Sequence, residues 1–335
     1  MSTAPATSAT KYRRWSGQPN RRRWTWLAIL AAGVRLTNRA TKVRTLVWMS
    51  LAFPVGSCAF FYALAQLELL ANTPEASGMY EFIKIFLRVD LSRVSRLAEY
   101  REVLWRSVFL FTFKVELFWV FVVIVRAGPG LIADDLKARA LPIYFARPVT
   151  PLTYLAGKWM VVAFFIGMVV LVPNLLALIL GTLVTGGLQT FGQTLGLGWD
   201  LLVTGIGVMV FGGAVILALS SLSSDKRYVT VGWVAICLLP VMAQAILFDV
   251  LPDEVTGGWL GSVSLFRDIT VTADWVFGIR EAWESTPLPR EVFDNALGRP
   301  IALFYPISVL LALAAGSLFV CYRRVLRFSR SAASV

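Results

Sequence analysis

The sequence predicts an all-α, polytopic membrane protein with six membrane-crossing helices. Three observations carry this. Hydrophobic residues make up 57% of the 335 residues and charged residues only 16%, against roughly 25% charged in a soluble domain. Mean hydropathy is +0.68. Several apolar runs also approach the ~20 residues that cross a bilayer. The net charge of +12 and the absence of histidine frame the chemistry. With no histidine, imidazole proton relays, His-ligated metals and Ser-His-Asp catalysis are excluded together. Cys58, Cys237 and Cys321 each lie inside an apolar run and read as small packing residues.

Residues 1–23 are polar and basic, with Arg13, Arg14, Arg21, Arg22 and Arg23 and no acid, and are expected to form a disordered cytoplasmic tail. Residues 24–44 are expected to form an amphipathic helix along the inner membrane surface. Arg35, Arg39 and Lys42 follow i, i+4, i+7 spacing and share one face, suited to anionic lipid headgroups, while Leu27, Leu30 and Val34 share another.

Residues 45–325 hold the spans, expected near 46–70, 107–125, 159–183, 201–222, 229–251 and 301–322. Pro54 and Pro240 are expected to kink the first and fifth, and Pro173 lies at the centre of the third. The second carries Lys114 and Glu116, the third Asn174 and the fifth Gln244. These polar groups inside apolar helices are candidates for a pathway or for inter-helix bonds. Lys114 and Glu116 point to nearly opposite faces, so Glu116 needs a partner elsewhere, and Asn174 and Gln244 are the candidates. The fourth span, with Gly205, Gly207, Gly212, Gly213, Ala214 and Ala218, suits close packing. The Gly-rich segment 185–199 reads as a loop and 223–228 as a tight turn. Residues 326–335 read as a tail.

Lys and Arg set the orientation. With both termini inside, inner segments hold 21 basic residues and outer segments 9. The segment 252–300, with eight acids, then falls outside.

The inner segment 126–158 organises the rest. Gly128, Pro129 and Gly130 stop the second span. LIADDLKARAL then reads as a short helix with Asp134 and Asp135 toward its N-terminal end and Lys137 and Arg139 toward its C-terminal end, the order the helix dipole favours. Pro142 and Pro148 read as further breaks. Thr150-Pro151 reads as an N-cap and first-turn pair that starts the third span. A phosphate-binding GxxxxGK[ST] loop is absent, since Gly157-Lys158 is followed by Trp159.

The run DDLKARALPIYFARPVTPLTYLAGKW resembles the segment after the second span in permease subunits of type-2 ATP-binding-cassette (ABC) exporters. The matching positions are Asp134 or Asp135, Ala146-Arg147-Pro148, Tyr154, Gly157 and Lys158. The specific likeness covers about 30 residues, and the remainder agrees in layout. The resemblance implies a coupling helix that docks on a separate ATP-binding subunit, present in two copies, and a second permease subunit that completes the pathway. It implies no catalytic site or cofactor in this chain, with ATP and Mg held by the partner, and a multi-pass protein of the bacterial inner membrane. Coupling is then expected from Asp134, Asp135, Lys137, Arg139 and Arg147, with Asp225, Lys226 and Arg227 as a smaller contact. No nucleic-acid partner is expected. The outer segment 71–102 is longer and more charged than the family pattern, which leaves room for an extracytoplasmic accessory protein. Two other readings compete. One is an ion-gradient-driven secondary transporter using Glu116 and Lys114. The other is a membrane scaffold whose outer aromatics Trp259, Phe266, Trp275, Phe277 and Trp283 bind an extracytoplasmic partner.

Overall fold

The computed structural model describes residues 25–41, 43–70, 77, 78, 80, 81, 84, 85, 100–145, 149–185, 187–250, 259–288 and 302–333. The 1–23 tail, Lys42 and Arg147 lie outside them, as does nearly all of the segment 71–99. Among the described residues the regular structure is helical, and six stretches are long and apolar enough to cross a membrane: Val43–Tyr62, Arg101–Lys137, Pro151–Leu183, Thr194–Leu222, Lys226–Ile246 and Phe304–Ser329. Their number and places match the sequence reading.

The first helix, α1 (Thr25–Thr41), lies against α7 (Pro151–Val169). The crossing depends on two glycines. A Cβ on Gly33 would strike Val161, and one on Gly157 would strike Ile29 and the Trp26 carbonyl. Small residues here let the helices approach closely. The seam therefore follows Trp26, Ile29 and Gly33, with Thr37 buried one turn on. Of the expected stripe, Leu30 and Val34 pack against the core, and Leu27 is exposed. Arg35 and Arg39 are exposed, as expected.

The first span is α2 (Val43–Ser50) and α3 (Ala52–Leu70), separated at Leu51. The third is α7 and α8 (Leu171–Thr185), separated at Val170. Both breaks lie three residues before a proline, Pro54 and Pro173. Proline lacks the N–H for the i−4 carbonyl and its ring clashes there, so the ladder opens just upstream. The kink expected at Pro54 thus appears as a helix break, and Pro173 makes a second one. At Pro240, inside α10 (Lys226–Val250), the helix continues.

The second span, α4 (Arg101–Ala127), α7 and α9 (Gly187–Leu222) form the centre. In the second, third and fourth candidate spans 56–61% of the residues are buried, against 22–28% in the other three. Residues 187–199, expected as loop, belong to α9. Packing overrides glycine's low propensity there: α9 lies along α8, Leu197 and Leu201 are buried, and Gly198 sits under Leu178. The chain ends in α13 (Phe304–Ala333), which includes residues read as a tail.

The segment 252–300, read as an outer segment, sends one helix along the bundle. Following a 3₁₀ turn (Trp259–Ser262), α11 (Leu265–Val276) buries Leu265, Ile269 and Ala273, a strict i, i+4, i+8 stripe. Phe266 packs on Phe121 of α4, Asp274 pairs with Lys114, and the Phe277 carbonyl accepts from Arg106. Helix α11 therefore runs antiparallel to α4, its start near Phe121 and its end near Arg106. Gly278, at φ 55°, turns the chain into α12 (Ile279–Glu284), whose Trp283 donates to the Ser107 hydroxyl at 3.0 Å.

Candidate functional site

At the Gly128 end of α4 the chain forms two short helices, α5 (Gly130–Lys137) and α6 (Leu141–Phe145), before re-entering the bundle as α7. The Thr150 hydroxyl accepts from the Thr153 N–H at 3.2 Å with Pro151 in the first turn, the start read from sequence. The expected helix 131–141 is shorter. It stops at Lys137 because Ala140 N–H bonds the Asp135 carbonyl at 2.9 Å and Arg139 N–H bonds the Leu136 carbonyl at 3.1 Å, a Schellman turn. Arg139 occupies the left-handed position of that turn, φ 52°, where glycine is the usual residue. Pro142 breaks nothing; it lies in the first turn of α6, where a missing N–H costs little.

Helix α5 is pinned to the bundle at both ends. At its start, the Ser220 hydroxyl of α9 accepts from Ile132 N–H at 3.0 Å and Ala133 N–H at 3.1 Å, and donates to the Pro129 carbonyl at 2.8 Å. A side chain from another helix thus satisfies N–H groups that a helix start leaves open. Toward its end, Asp135 Oδ2 accepts from the Tyr154 hydroxyl at 2.6 Å and from Lys158 Nζ at 2.7 Å. Tyr154 and Lys158 are one turn apart on α7, so both reach one carboxylate. The Lys158 ammonium also lies 5.5 Å from the Tyr154 ring centre. Tyr144 and Phe145 of α6 pack on that ring.

This divides the expected coupling residues. Asp134, Lys137 and Arg139 are exposed at the tip. Asp135 is not; its carboxylate is spent inside the protein. Two successive helical residues differ by about 100° in direction, so one acid of the pair faces outward while the other faces α7. Asp225 is likewise engaged, accepting from the Arg227 N–H at 2.9 Å in the first turn of α10, and Lys226 and Arg227 are exposed. The sequence reading missed Tyr154 and Lys158 as partners of Asp135 and missed Ser220. The i, i+4 Tyr-Lys spacing after an acid was a usable signal; nothing local marked Ser220.

The intramembrane polar residues separate in the same way. Glu116 is fully buried and its carboxylate accepts from the Asn174 amide, which also donates to the Val170 carbonyl at 2.8 Å. Asn174 was one of two expected partners. The other, Gln244, takes up Arg267 instead: with the amide oxygen turned to the guanidinium, Nε and Nη1 donate to it at 3.0 and 3.1 Å. Lys114 pairs with Asp274 at 2.7 Å. Burial pushes the Asp274 carboxyl up, and the Lys114 ammonium pulls it back. Lys114, Glu116, Asn174 and Gln244 thus fall into three separate pairings.

Of the outer aromatics, Phe277 and Trp283 are fully buried and Phe266 packs on Phe121, while Trp275 is exposed. The cysteines are free; Cys237 and Cys321 are buried and Cys58 half-buried. Among the described residues there is no cluster of metal-ligating side chains. No protein-family model matches this sequence, and no curated protein matches it either.

Proposed function

We propose that this chain is the membrane-spanning permease subunit of an ABC exporter. In this reading both termini face the cytoplasm of a bacterial cell, two ATP-binding subunits hydrolyse Mg-bound ATP, and a second permease subunit completes the pathway. The observation that supports it best is the build of α5 and α6. A docking element must be exposed at its tip and stiff at its base, or force from the partner is lost in the loop. Asp134, Lys137 and Arg139 provide an exposed, charged tip. Ser220, Tyr154 and Lys158 fasten the base to α9 and α7. An ordinary solvated loop needs no such fastening. The scaffold reading loses most of its binding surface, since Phe277, Trp283 and Phe266 pack inward. For the secondary-transporter reading, Glu116 held by Asn174 in the core behaves as a bundle-holding group rather than a mobile carrier of charge.

The test is purification of the native complex. A chain that hydrolyses ATP should co-purify in equal amount with this one. Replacing Asp134, Lys137 and Arg139 with Ala should leave thermal stability within about 1 kcal/mol, as for surface positions, and release that chain. A native complex without an ATP-hydrolysing chain overturns the proposal.

A further inference from the structure

The start of α11 gathers buried oxygens that the protein leaves unsatisfied. Ser262 closes the 3₁₀ turn, and Ser264 stands at the N-cap position of α11. Asp268 follows one turn later, its N–H bonded to the Ser264 carbonyl at 2.9 Å. Ser262 is 6% exposed, and Ser264 and Asp268 are 1% exposed. The Ser264 hydroxyl caps nothing. The Ser262 hydroxyl is close enough to favour the ionised carboxylate, yet forms no well-shaped hydrogen bond. Both Asp268 oxygens and both hydroxyls therefore lack a partner.

Among the described residues, no ion pair answers Asp268 either. Arg267 is the neighbouring cation that bears on it, but that guanidinium turns to Gln244. On the elements packed around α11, Lys114 is committed to Asp274, Arg106 to Asp200 and Glu102, and Arg280 to Glu284. Glu281 of α12, Lys226 and Arg227 of α10, and Arg323, Arg324 and Arg327 of α13 make no bond to it. A carboxylate out of water without a counter-charge is too costly to persist, so it acquires one.

We propose that Asp268, Ser262 and Ser264 form a buried site for one small monovalent cation, either a proton or Na⁺, bound between the carboxylate and the two hydroxyls. An all-oxygen donor set suits a hard ion. For the proton, burial pushes the Asp268 carboxyl up to about 7, within the range where occupancy changes. The occupant neutralises the charge at the start of α11 and so holds that helix against α4, α10 and α13. The inference stands independently of the proposed transport role.

Thermal unfolding of the purified protein distinguishes the two ions. Wild type is compared with Asp268→Asn at pH 5.5 to 8.5 in choline chloride, then at pH 8.5 with NaCl replacing choline at constant ionic strength. A raised folded-state pKa means that the stabilisation is present at low pH and is lost as pH rises through about 7. With a proton as occupant, wild type loses roughly thirtyfold in its folding equilibrium between pH 5.5 and 8.5 beyond any change in Asp268→Asn, and Na⁺ has no effect. With Na⁺ as occupant, wild type gains stability with NaCl at pH 8.5 and Asp268→Asn does not. Identical pH and Na⁺ responses in the two proteins overturn the site. Should Asp268→Asn fail to fold, the Ser262→Ala, Ser264→Ala double variant retains the charge and removes two ligands. It must shift the pH midpoint or weaken the Na⁺ response, and an unchanged response overturns the site equally.

Discussion

Two ion-paired fastenings hold short helices to the bundle, and they are built differently. At the Gly128 end, Asp135 and Lys158 are 16% and 11% exposed and share their site with the buried Tyr154 hydroxyl. Midway along α4, Lys114 and Asp274 are 35% and 30% exposed, and at its Arg101 end the Arg106–Glu102 pair is open on the Glu102 side. The same chemical pairing therefore stands in a closed joint at α5 and in a more open one along α11. Where α5 is fixed by charges with little water around them, α11 and α12 rely on apolar burial of Leu265, Ile269, Phe277 and Trp283, with the ion pairs setting register.

The largest expected effect breaks the closed joint. Asp135→Ala leaves Lys158 buried without a counter-charge and should cost about 3–5 kcal/mol, the usual result of removing one partner of a buried pair. Adding Lys158→Met should recover most of that loss. Chemical or thermal unfolding of the two single variants and the double variant measures the coupling, and strict additivity would mean that the joint carries no interaction energy.

Lys114→Met sharpens the contrast from the other side. The pair is more open than Asp135–Lys158, so the loss should be smaller than that of Asp135→Ala, and it should appear as faster hydrogen exchange in α11 and α12 with α5 unchanged. A loss as large as that of Asp135→Ala would erase the distinction between the two joints.

The smallest effect should be a gain. Arg139→Gly places at φ 52° the residue that adopts this conformation without a Cβ clash, and should stabilise by about 1 kcal/mol. Because Arg139 belongs to the exposed tip, the same change should weaken binding of an ATP-binding subunit while the fold becomes more stable. Stability and binding moving together would place Arg139 outside the docking contact.

The sequence made some of this legible. Apolar runs of bilayer length located all six candidate spans. Gly128-Pro129-Gly130 and Thr150-Pro151 bracketed the α5–α6 connector, because these residues act on their own backbone. The need of Glu116 for an outside partner, with Asn174 among the candidates, came from helix geometry alone. What escaped was decided by neighbours distant in sequence. Asp134 and Asp135 look alike until α7 presents Tyr154 and Lys158 to only one of them. Residues 187–199 look like a loop until α8 packs along this helix and Leu197 is buried. The stripe of α11 is plain at four-residue spacing, but nothing local in the segment 252–300 showed that this helix lies along α4. Asp274 meets Lys114 near one end of α11, and Asp268 is buried toward the other.

The two proline breaks have a mechanical consequence. Thr112 and Glu116 lie one turn apart on α4. Thr112 meets Ser57, three residues beyond Pro54, at 2.7 Å, and Glu116 meets Asn174, immediately after Pro173. Each interrupted span is thus moored to α4 just past its own elbow. A displacement of α5 enters α7 through Lys158 and travels up to Val170, where the far segment is tethered. It must emerge there as a change of bend angle, with α4 as the fixed mast about which the two jointed spans swing.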